Sequence, residues 1–363
     1  MRKSIVLYKK IKEEIKEQID SGKLKEYDRI PSIVELSKKY NVSTITIRLA
    51  ISELVKEGYL ETLGSKGTYV KLKRANNKLI ALFFSEDIKN PFIGEIYFGI
   101  EKVLSIEGYH TIFLKTDGNE EKETKYLKGL LEREIEGVIM IPVSSEFNSQ
   151  SVYFLKRLKE KNIPVVFVDI KVENFECDYV ETDNYHAGYE ATKYLIEKGH
   201  RKIGIILGHD VNTIRERFSG YLQCLKDNKI EFNKLYVKRH TFQKYYEETG
   251  YICGLELLNL KNPPTAIFCT CDSIAVGLYK ACHEMNLKIP QDISIIGFDN
   301  LKFTEYMIPP LTTIHQEKDK MGEYAAKILI ERIKGSDLPV QKIFLKHKLI
   351  ERGSVTSPLK EVM

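Results

Sequence analysis

From residue 78 onward the sequence alternates short apolar runs with helix-length segments, and this rhythm constrains the fold more than any other feature. The apolar runs include KLIALFF, HTIFL, GVIMIPV, IPVVFVD, GIILG, AIFCT and SIIGFD. Continuous apolar strands separated by helices of about 10 to 15 residues are typical of parallel sheets that are covered on both faces. Ligands bind just beyond the carboxyl ends of such strands. The units are too numerous for one small sheet, so we predict two α/β lobes with a cleft between them.

The N-terminal part follows a different pattern, in which three helices precede a hairpin. The apolar stripe of residues 4–20 predicts an amphipathic helix, and Ser32 with Glu35 forms a capping box that begins a second helix. A third helix is expected to begin at Ser43. The segment YLETLGSKGTYVKL then alternates apolar and polar residues around two glycines, which is typical of a hairpin. This order of elements predicts a winged helix-turn-helix.

Positive charge is concentrated in the same N-terminal part. Residues 1–74 contain 17 Lys and Arg against 10 Asp and Glu, a net charge of +7, which leaves −2 of the total +5 for the rest of the chain. A basic excess on a small domain is typical of a surface that binds phosphates, although charge alone would equally suit a solvated surface.

The start of the third helix, within NVSTITIRLAISEL, carries unusual residues on its outer side. The first residues of the last helix of a helix-turn-helix contact base edges in the major groove. Arg48 can bond guanine, while Thr44 and Thr46 can bond bases or offer methyl groups. Ile45 can contact a thymine methyl, and Lys66 at the hairpin tip is a candidate phosphate contact. Each side chain alone equally suits a solvated helix end, but helices, hairpin and charge together favour DNA binding.

A longer motif, IPSIVELSKKYNVSTITIRLAISELVKEGYLETLGSKGTYV, lies within residues 5–70. It resembles the DNA-binding domain of the GntR family, whose pattern is P-S-E-R-E-L, V-S-R-x-T-V-R, L-x-x-E-G and G-x-G-T-F-V. Val34 and Thr44 depart from that pattern, because arginine is common at both positions. With one guanine reader fewer, we expect an operator half-site richer in A·T pairs than is usual for the family. The predicted DNA contacts are Ser32, Ser43, Thr44, Ile45, Thr46, Arg48, Lys66 and Gly67.

The body carries a second set of motifs, namely NPFIGEIYFGIE, EGVIMIPV, DNYHAGYEATKYLIEKGHRKIGII, PPTAIFCTCDSIAVGLYKA, IPQDISIIGFDN and IPPLTTIHQ. Over about residues 77–355 it resembles the LacI/GalR regulators and the related periplasmic sugar-binding proteins. A GntR head on a LacI-type body is the arrangement of the arabinose-responsive repressors, which the chain resembles over its whole length. The resemblance implies an α/β fold, with an N-terminal winged helix-turn-helix and a two-lobed periplasmic-binding-protein-like body of two parallel α/β sheets.

The domain boundaries are predicted from the same patterns. We expect a DNA-binding domain at 1–70, a linker at 71–77 and an effector-binding and dimerisation domain at 78–363. We expect lobe one to comprise about 78–173 and 304–330, and lobe two about 174–303 and 331–363.

A sugar offers vicinal hydroxyl groups, each of which donates and accepts hydrogen bonds, and flat apolar ring faces. Carried over motif by motif, the resemblance implies Arg217 as a guanidinium fork and Asp169 and Asp299 as carboxylates. It also implies an amide from Gln316 and an aromatic residue, Tyr245, that closes over the ring. The full predicted set of effector contacts is Ser85, Phe92, Asp169, Arg217, Tyr245, Asp299 and Gln316.

Structural roles are the alternative for several of these charged residues. Arg217, Asp169 and Asp299 would then form only a salt bridge. Asp183 and Asp272 precede helices and are better explained as N-caps than as ligand contacts.

The two resemblances together imply a sugar-responsive transcriptional repressor that binds a palindromic DNA operator as a homodimer. A small carbohydrate, with an arabinose-like pentose as the leading candidate, would release it. The alternatives are an activator or corepressor-dependent regulator of the same architecture, and a sugar-binding transport protein. A transport protein would need an export signal and would have no helix-turn-helix.

Other function classes are not favoured. The sequence shows no paired nucleophile and base and no G-x-G-x-x-G after a strand, so we expect no enzyme activity and no cofactor. Its six cysteines lack C-x-x-C spacing, which predicts reduced thiols and no metal site. No run of about 18 apolar residues occurs, and the N-terminus lacks the apolar core of a signal peptide. We therefore expect a cytoplasmic protein with no membrane partner.

Overall fold

The computed structural model describes residues 2–71, 78–240 and 246–358. The chain divides into two compact units, Met1–Asn77 and Lys78–Met363, called here the head and the body. Apart from Lys71, the predicted linker lies outside the described residues.

The head contains three helices and an antiparallel hairpin, which confirms the predicted winged helix-turn-helix. Its elements are α1 (Arg2–Asp20), α2 (Ile33–Tyr40), α3 (Thr44–Lys56), β1 (Leu60–Thr62) and β2 (Thr68–Val70). The predicted capping box begins α2, since the Ser32 hydroxyl accepts from the Glu35 N–H and the Ser32 N–H donates to the Glu35 carboxylate. The apolar stripes of the three helices meet in one core that includes Ile15, Leu36 and Ile47.

The turn between α2 and α3 is held by local hydrogen bonds. Asn41 adopts the left-handed conformation with φ of 52°, which asparagine tolerates better than most residues, and its N–H donates to the Lys38 carbonyl. The Ser37 hydroxyl donates to the Val42 carbonyl. These bonds end α2 and allow α3 to begin directly after its N-cap, Ser43.

The body alternates strands and helices along the chain. Its strands are β3 (Leu79–Phe84), β4 (His110–Lys115), β5 (Gly137–Met140), β6 (Val165–Val168), β7 (Asp178–Thr182), β8 (Ile203–Leu207), β9 (Val237–Arg239), β10 (Ala266–Cys269), β11 (Ser294–Asp299), β12 (Thr312–Gln316), β13 (Lys342–Leu345) and β14 (His347–Ile350). Its helices are α4 (Pro91–Ile106), α5 (Glu120–Leu130), α6 (Ser149–Glu160), α7 (Asn184–Glu197), α8 (Asn212–Asp227), α9 (Tyr246–Leu258), α10 (Asp272–Glu284) and α11 (Lys318–Ile333). Among the described residues, no helix is long and apolar enough to cross a bilayer.

These elements form two lobes, each built on a six-stranded sheet. The strand order is β13-β7-β6-β5-β3-β4 in lobe one and β14-β12-β11-β10-β8-β9 in lobe two. Strands pair in parallel except β12 with β14. Helices α4 and α11 pack on one face of the lobe-one sheet and α5 and α6 on the other. In lobe two, α7 and α8 lie opposite α9 and α10. Burial on both faces explains why the strands read as continuous apolar runs.

The predicted lobe boundaries are wrong in three places. Residues 174–182 belong to lobe one, because β7 pairs with β6. Residues 304–316 belong to lobe two, because β12 pairs with β11. Residues 331–345 also belong to lobe one, because they include the end of α11, which packs on that sheet, and β13, which pairs with β7. The chain therefore crosses between the lobes after β7, after β12 and after β13.

Candidate ligand cleft and nucleic-acid face

Arg217 lies on α8 in lobe two and is almost fully buried. Its Nε donates to the Asn184 side chain at 2.8 Å and its Nη1 to the Thr270 carbonyl at 2.6 Å. The guanidinium stacks on the Phe298 ring, 3.6 Å from the centroid, and Nη1 lies 4.0 Å from Asp299 Oδ1. Its second terminal nitrogen has no hydrogen-bond partner among the described residues. The guanidinium is thus held by two hydrogen bonds and a ring, which leaves Nη2 available.

Asp299 and Gln316 end neighbouring strands of lobe two beside this arginine. Gln316 Nε2 donates to Asp299 Oδ1 at 2.6 Å, which leaves the buried Gln316 Oε1 without a partner among the described residues. Burial raises the pKa of the Asp299 carboxyl, and the positive charge of Arg217 opposes that shift. Asp299 also has a φ of 117°, which is rare for a residue with a side chain.

Asp183 and Asp272 do not share one role. Asp183 caps α7, because its carboxylate accepts from the His186 N–H, as predicted. The prediction is wrong for Asp272, which is the first residue of α10, after the N-cap Cys271, and is fully buried. Its carboxylate accepts from the Leu301 N–H at 2.8 Å and the Thr313 hydroxyl at 2.7 Å. It therefore fastens the loop that follows Asp299.

Asp169 is the charged residue that lobe one contributes, directly after β6. Its φ is 63°, and its Oδ1 is buried with no partner among the described residues. Burial raises the pKa of this carboxyl from 3.8 to about 6, while Arg217 lowers it and Asp299 raises it further. Arg217 and Asp299 belong to lobe two, so the carboxyl end of β6 lies near the carboxyl ends of the lobe-two strands. The space between these strand ends is called here the cleft.

Of the other predicted effector contacts, Ser85 and Phe92 show no polar contact with these charged residues among the described residues. Ser85 directly follows β3 and is half-buried. Phe92 lies in the first turn of α4, where Asn90 accepts from its N–H, and its ring packs against the lobe-one core. Tyr245 lies outside the described residues.

Sequence reasoning missed Tyr246, the aromatic residue next along the chain. Its ring lies 5.0 Å from His209 and so close over Gly208 that a Cβ there would be 3.0 Å from Cε1. Burial raises the pKa of its phenol well above 10, and the negative charges of Glu86, Asp169 and Asp299 among others add to the shift. Tyr246 is thus an aromatic side chain among the acidic groups of the cleft.

The lobes are also joined by polar contacts that the sequence did not predict. The Asn212 N–H donates to the Ser145 hydroxyl at 2.6 Å, and the Asn212 side chain donates to Glu181 at 3.1 Å. Lys171 of lobe one bonds both Glu181, at 3.2 Å, and Glu216 of lobe two, at 2.5 Å. Burial raises the pKa of Glu181 to about 7. These contacts join lobe one to the start of α8, the helix that carries Arg217.

In the head, the exposed side of α3 differs from the predicted one at one position. Thr44 and Arg48 are exposed, and Ile45 is 68% exposed. Thr46 is only 6% exposed, because its hydroxyl lies 2.9 Å from the Ser43 hydroxyl and its N–H donates to the same oxygen. The prediction that Thr46 lies on the outer face is therefore wrong. Leu49, which was not predicted, is 51% exposed on that face.

The remaining predicted DNA contacts are helix caps and hairpin residues. Ser32 and Ser43 cap α2 and α3. Lys66 is exposed in the turn of the hairpin. Gly67 has φ of 118°, and a Cβ there would lie 2.7 Å from Arg29 Nε, so glycine is required. Arg29, which sequence reasoning missed, thus lies beside the hairpin turn.

Family models match both units of the chain. The model for bacterial regulatory proteins of the gntR family matches residues 7–70, and the model for a periplasmic-binding-protein-like domain matches residues 192–355.

Curated relatives and solved structures agree with these matches. The chain is 31% identical over 341 residues to the HTH-type transcriptional repressor PurR of Proteus mirabilis, covering 89% of this chain and 96% of that one. A ribose-bound LacI family transcriptional regulator from Enterococcus faecalis is 32% identical, with a TM-score of 0.68, and the match covers 78% of this chain and all of that one. The transcription regulator CcpA of Lactococcus lactis has a TM-score of 0.69 at 27% identity, covering 76% and 98%. The chain belongs to the LacI family of transcriptional repressors and carries a GntR-type helix-turn-helix as its DNA-binding head.

Proposed function

We propose that the body binds a neutral pentose between its lobes and that binding releases the head from its operator. One observation carries this proposal. Two buried acceptor atoms, Asp169 Oδ1 and Gln316 Oε1, have no partner among the described residues, and they lie beside Arg217, whose Nη2 is available. Unpaired buried polar atoms are costly, so a ligand that satisfies them is expected. A sugar hydroxyl suits all three positions, because it donates to the acceptors and accepts from Arg217.

The charge of the cleft favours a neutral sugar over a phosphorylated one. Asp169 and Asp299 flank Arg217, and Glu86 lies close enough to raise the pKa of Tyr246. A phosphate group would be repelled by these carboxylates, and the guanidinium is already close to Asp299. The Tyr246 ring offers an apolar surface for a ring face.

The choice of a pentose rather than a larger sugar is based on similarity to other regulators. The resemblance to arabinose-responsive repressors suggests an arabinose-like pentose, and two LacI family regulators, from Enterococcus faecium and Enterococcus faecalis, were solved with bound ribose. We therefore propose a pentose, with L-arabinose and D-ribose as the first ligands to test.

Release from DNA requires that the sugar bind two conformations of the body unequally. We propose that two copies present two α3 helices to a palindromic operator, and that closing the lobes on the sugar changes their spacing. Groups from both lobes face the proposed ligand, so its affinity depends on how far the cleft is closed.

A thermal-shift panel tests the ligand class directly, since a ligand bound only by the folded state raises the midpoint. The panel would contain L-arabinose, D-ribose, D-glucose, D-galactose and the 5-phosphates of both pentoses. We expect a neutral pentose to raise the midpoint and its phosphate to leave it unchanged. Stabilisation by a phosphate alone, or by none of the sugars, would contradict the proposal. Anisotropy of a labelled operator from binding-site selection then tests release: a pentose that stabilises the protein without weakening operator binding would contradict it.

A further inference from the structure

Lys318 is a fully buried lysine at the point where the chain crosses from β12 of lobe two to α11 of lobe one. A buried ammonium group is costly unless each of its three N–H donors meets an acceptor. Since a hydrophobic residue at this position would avoid that cost, the charge itself needs an explanation.

The ammonium group has three acceptors, and they come from both lobes. Lys318 Nζ donates to the Asp299 carbonyl at 2.6 Å and lies 3.4 Å from the Gln316 carbonyl, both at the carboxyl end of the lobe-two sheet. It also lies 3.2 Å from Glu95 Oε2, on α4 of lobe one. One side chain thus connects two predicted ligand contacts of lobe two to a helix of lobe one.

The bond to Asp299 acts on an unusual backbone conformation. A φ of 117° is unfavourable for a residue with a Cβ and persists only where the surroundings impose it. Lys318 holds the carbonyl of this residue, while Asp272 holds the N–H of Leu301 two residues later. The direction of the Asp299 carboxylate depends on this backbone, and Gln316 in turn bonds that carboxylate.

Glu95 extends the connection to lobe one. It lies on α4, one turn after Phe92, and α4 packs lengthwise against α11, which begins at Lys318. If ligand binding moves the Asp299 carbonyl, the Lys318 ammonium group that bonds it also moves relative to Glu95 on α4.

We infer that Lys318 is a positioning residue that fixes the Asp299 and Gln316 side of the cleft, and that its contact with Glu95 couples ligand binding to lobe one. The inference rests on the proposed sugar-binding function only for the second half of its test.

The first half measures the free protein by hydrogen–deuterium exchange. Lys318→Met keeps the length of the side chain and removes the charge, and Lys320→Met is the matched control, because Lys320 is exposed and pairs with Glu317. We expect exchange of the backbone amides in 297–302 to become about tenfold faster or more in Lys318→Met and to stay unchanged in Lys320→Met. Wild-type exchange in a folded Lys318→Met protein would overturn the positioning role, whichever ligand the protein binds.

The second half uses L-arabinose and D-ribose as probes, by calorimetry and operator anisotropy. Lys318→Met is expected to weaken binding of the pentose that wild type binds by about tenfold or more. Glu95→Gln leaves Lys318 in place, so binding should stay within about threefold of wild type, while the weakening of operator binding at saturating sugar becomes smaller. An unchanged operator response in Glu95→Gln would overturn the coupling. If wild type binds neither pentose, the proposed function fails and the exchange result still decides the role of Lys318.

Discussion

The head and the body hold their functional groups in opposite ways. In the head, the predicted base readers Thr44, Ile45 and Arg48 are neighbours in sequence and exposed on one turn of α3. In the body, Asp169 and Arg217 come from different lobes and are far apart in sequence, and the Asp169 Oδ1 atom and the Arg217 side chain are buried. Water satisfies the exposed polar groups of the head when DNA is absent, whereas buried acceptors without partners destabilise the ligand-free protein. The difference suggests that the head presents side chains ready to contact DNA, whereas the body needs a ligand to satisfy its buried polar atoms.

The largest effect is expected at Arg217, the buried cation that we propose contacts the sugar. Replacing Arg217 by Ala removes two charged hydrogen bonds and the available Nη2 donor, so pentose affinity should fall about 100-fold or more. Isothermal titration calorimetry measures this change. Arg215→Ala is the matched control, because Arg215 lies on the same helix, is exposed and pairs with Asp210. Equal affinities of the two variants would remove Arg217 from the site.

In the head, Arg48→Ala should weaken specific operator binding by about 1 to 3 kcal/mol if the guanidinium reads a base. Thermal stability should hardly change, because Arg48 is exposed. Lys56→Ala, at the other end of α3, provides the comparison, since its charge is exposed beside Glu53. The measurement is anisotropy with specific and scrambled DNA. An equal loss on both DNAs would show that Arg48 contacts phosphate rather than a base.

Pentose binding by the body is expected to depend on pH. Burial raises the pKa of Asp169 to about 6, and a sugar hydroxyl donates best to the ionised carboxylate. Pentose affinity should therefore fall as pH drops below 6, by up to about tenfold per pH unit. Asp169→Asn should flatten that profile. If pentose affinity in Asp169→Asn depends on pH as it does in wild type, another group is responsible for the pH dependence.

The same pKa shift affects the stability of the free protein. The unfolded chain loses the Asp169 proton near pH 3.8, whereas the folded body holds it up to about pH 6. The contribution of this proton to the free energy of unfolding is therefore fully present below pH 3.8 and lost as pH rises through 6. Asp169→Asn is therefore expected to raise the thermal midpoint of the sugar-free protein at pH 7. A lower midpoint would show that the carboxylate has a stabilising partner.

The smallest effect is expected at Thr46. Thr46→Val removes a hydroxyl that pairs with Ser43, so the head should lose about 0.5 to 1.5 kcal/mol of stability while its base preference stays the same. Thr44→Val, on the exposed side, should change the base preference and leave the stability of the head nearly unchanged. Chemical denaturation and binding-site selection separate the two results. A changed base preference in Thr46→Val would return this residue to the DNA-binding face.

The sequence predicted the head more completely than the body, because the order of elements in the head depends on local signals. The capping box at Ser32 and the glycine in the hairpin act within a few residues. Thr46 was misplaced because its hydroxyl closes the cap of its own helix, which a helical wheel does not reveal.

In the body, the strand rhythm predicted two parallel sheets but not the crossings between them. Strands β7, β12 and β13 join their sheets through pairing with distant strands, which has no local signal. For the same reason Lys318, Asn212 and Tyr246 were not predicted, since their roles arise only where the lobes meet. The resemblance indicated Arg217, Asp169, Asp299 and Gln316, and the structure brings these four to one cleft, where their role in binding a sugar stays a prediction.

The central claim is that one region reads DNA and the other reads a sugar, and operator anisotropy with and without pentose tests it most directly. Wild type, Arg48→Ala and Arg217→Ala would be compared at the same salt concentration. We expect Arg48→Ala to bind the operator weakly and still be stabilised thermally by the sugar, and Arg217→Ala to bind the operator as wild type does and ignore the sugar. Release of Arg217→Ala by the sugar at wild-type concentrations would contradict the account.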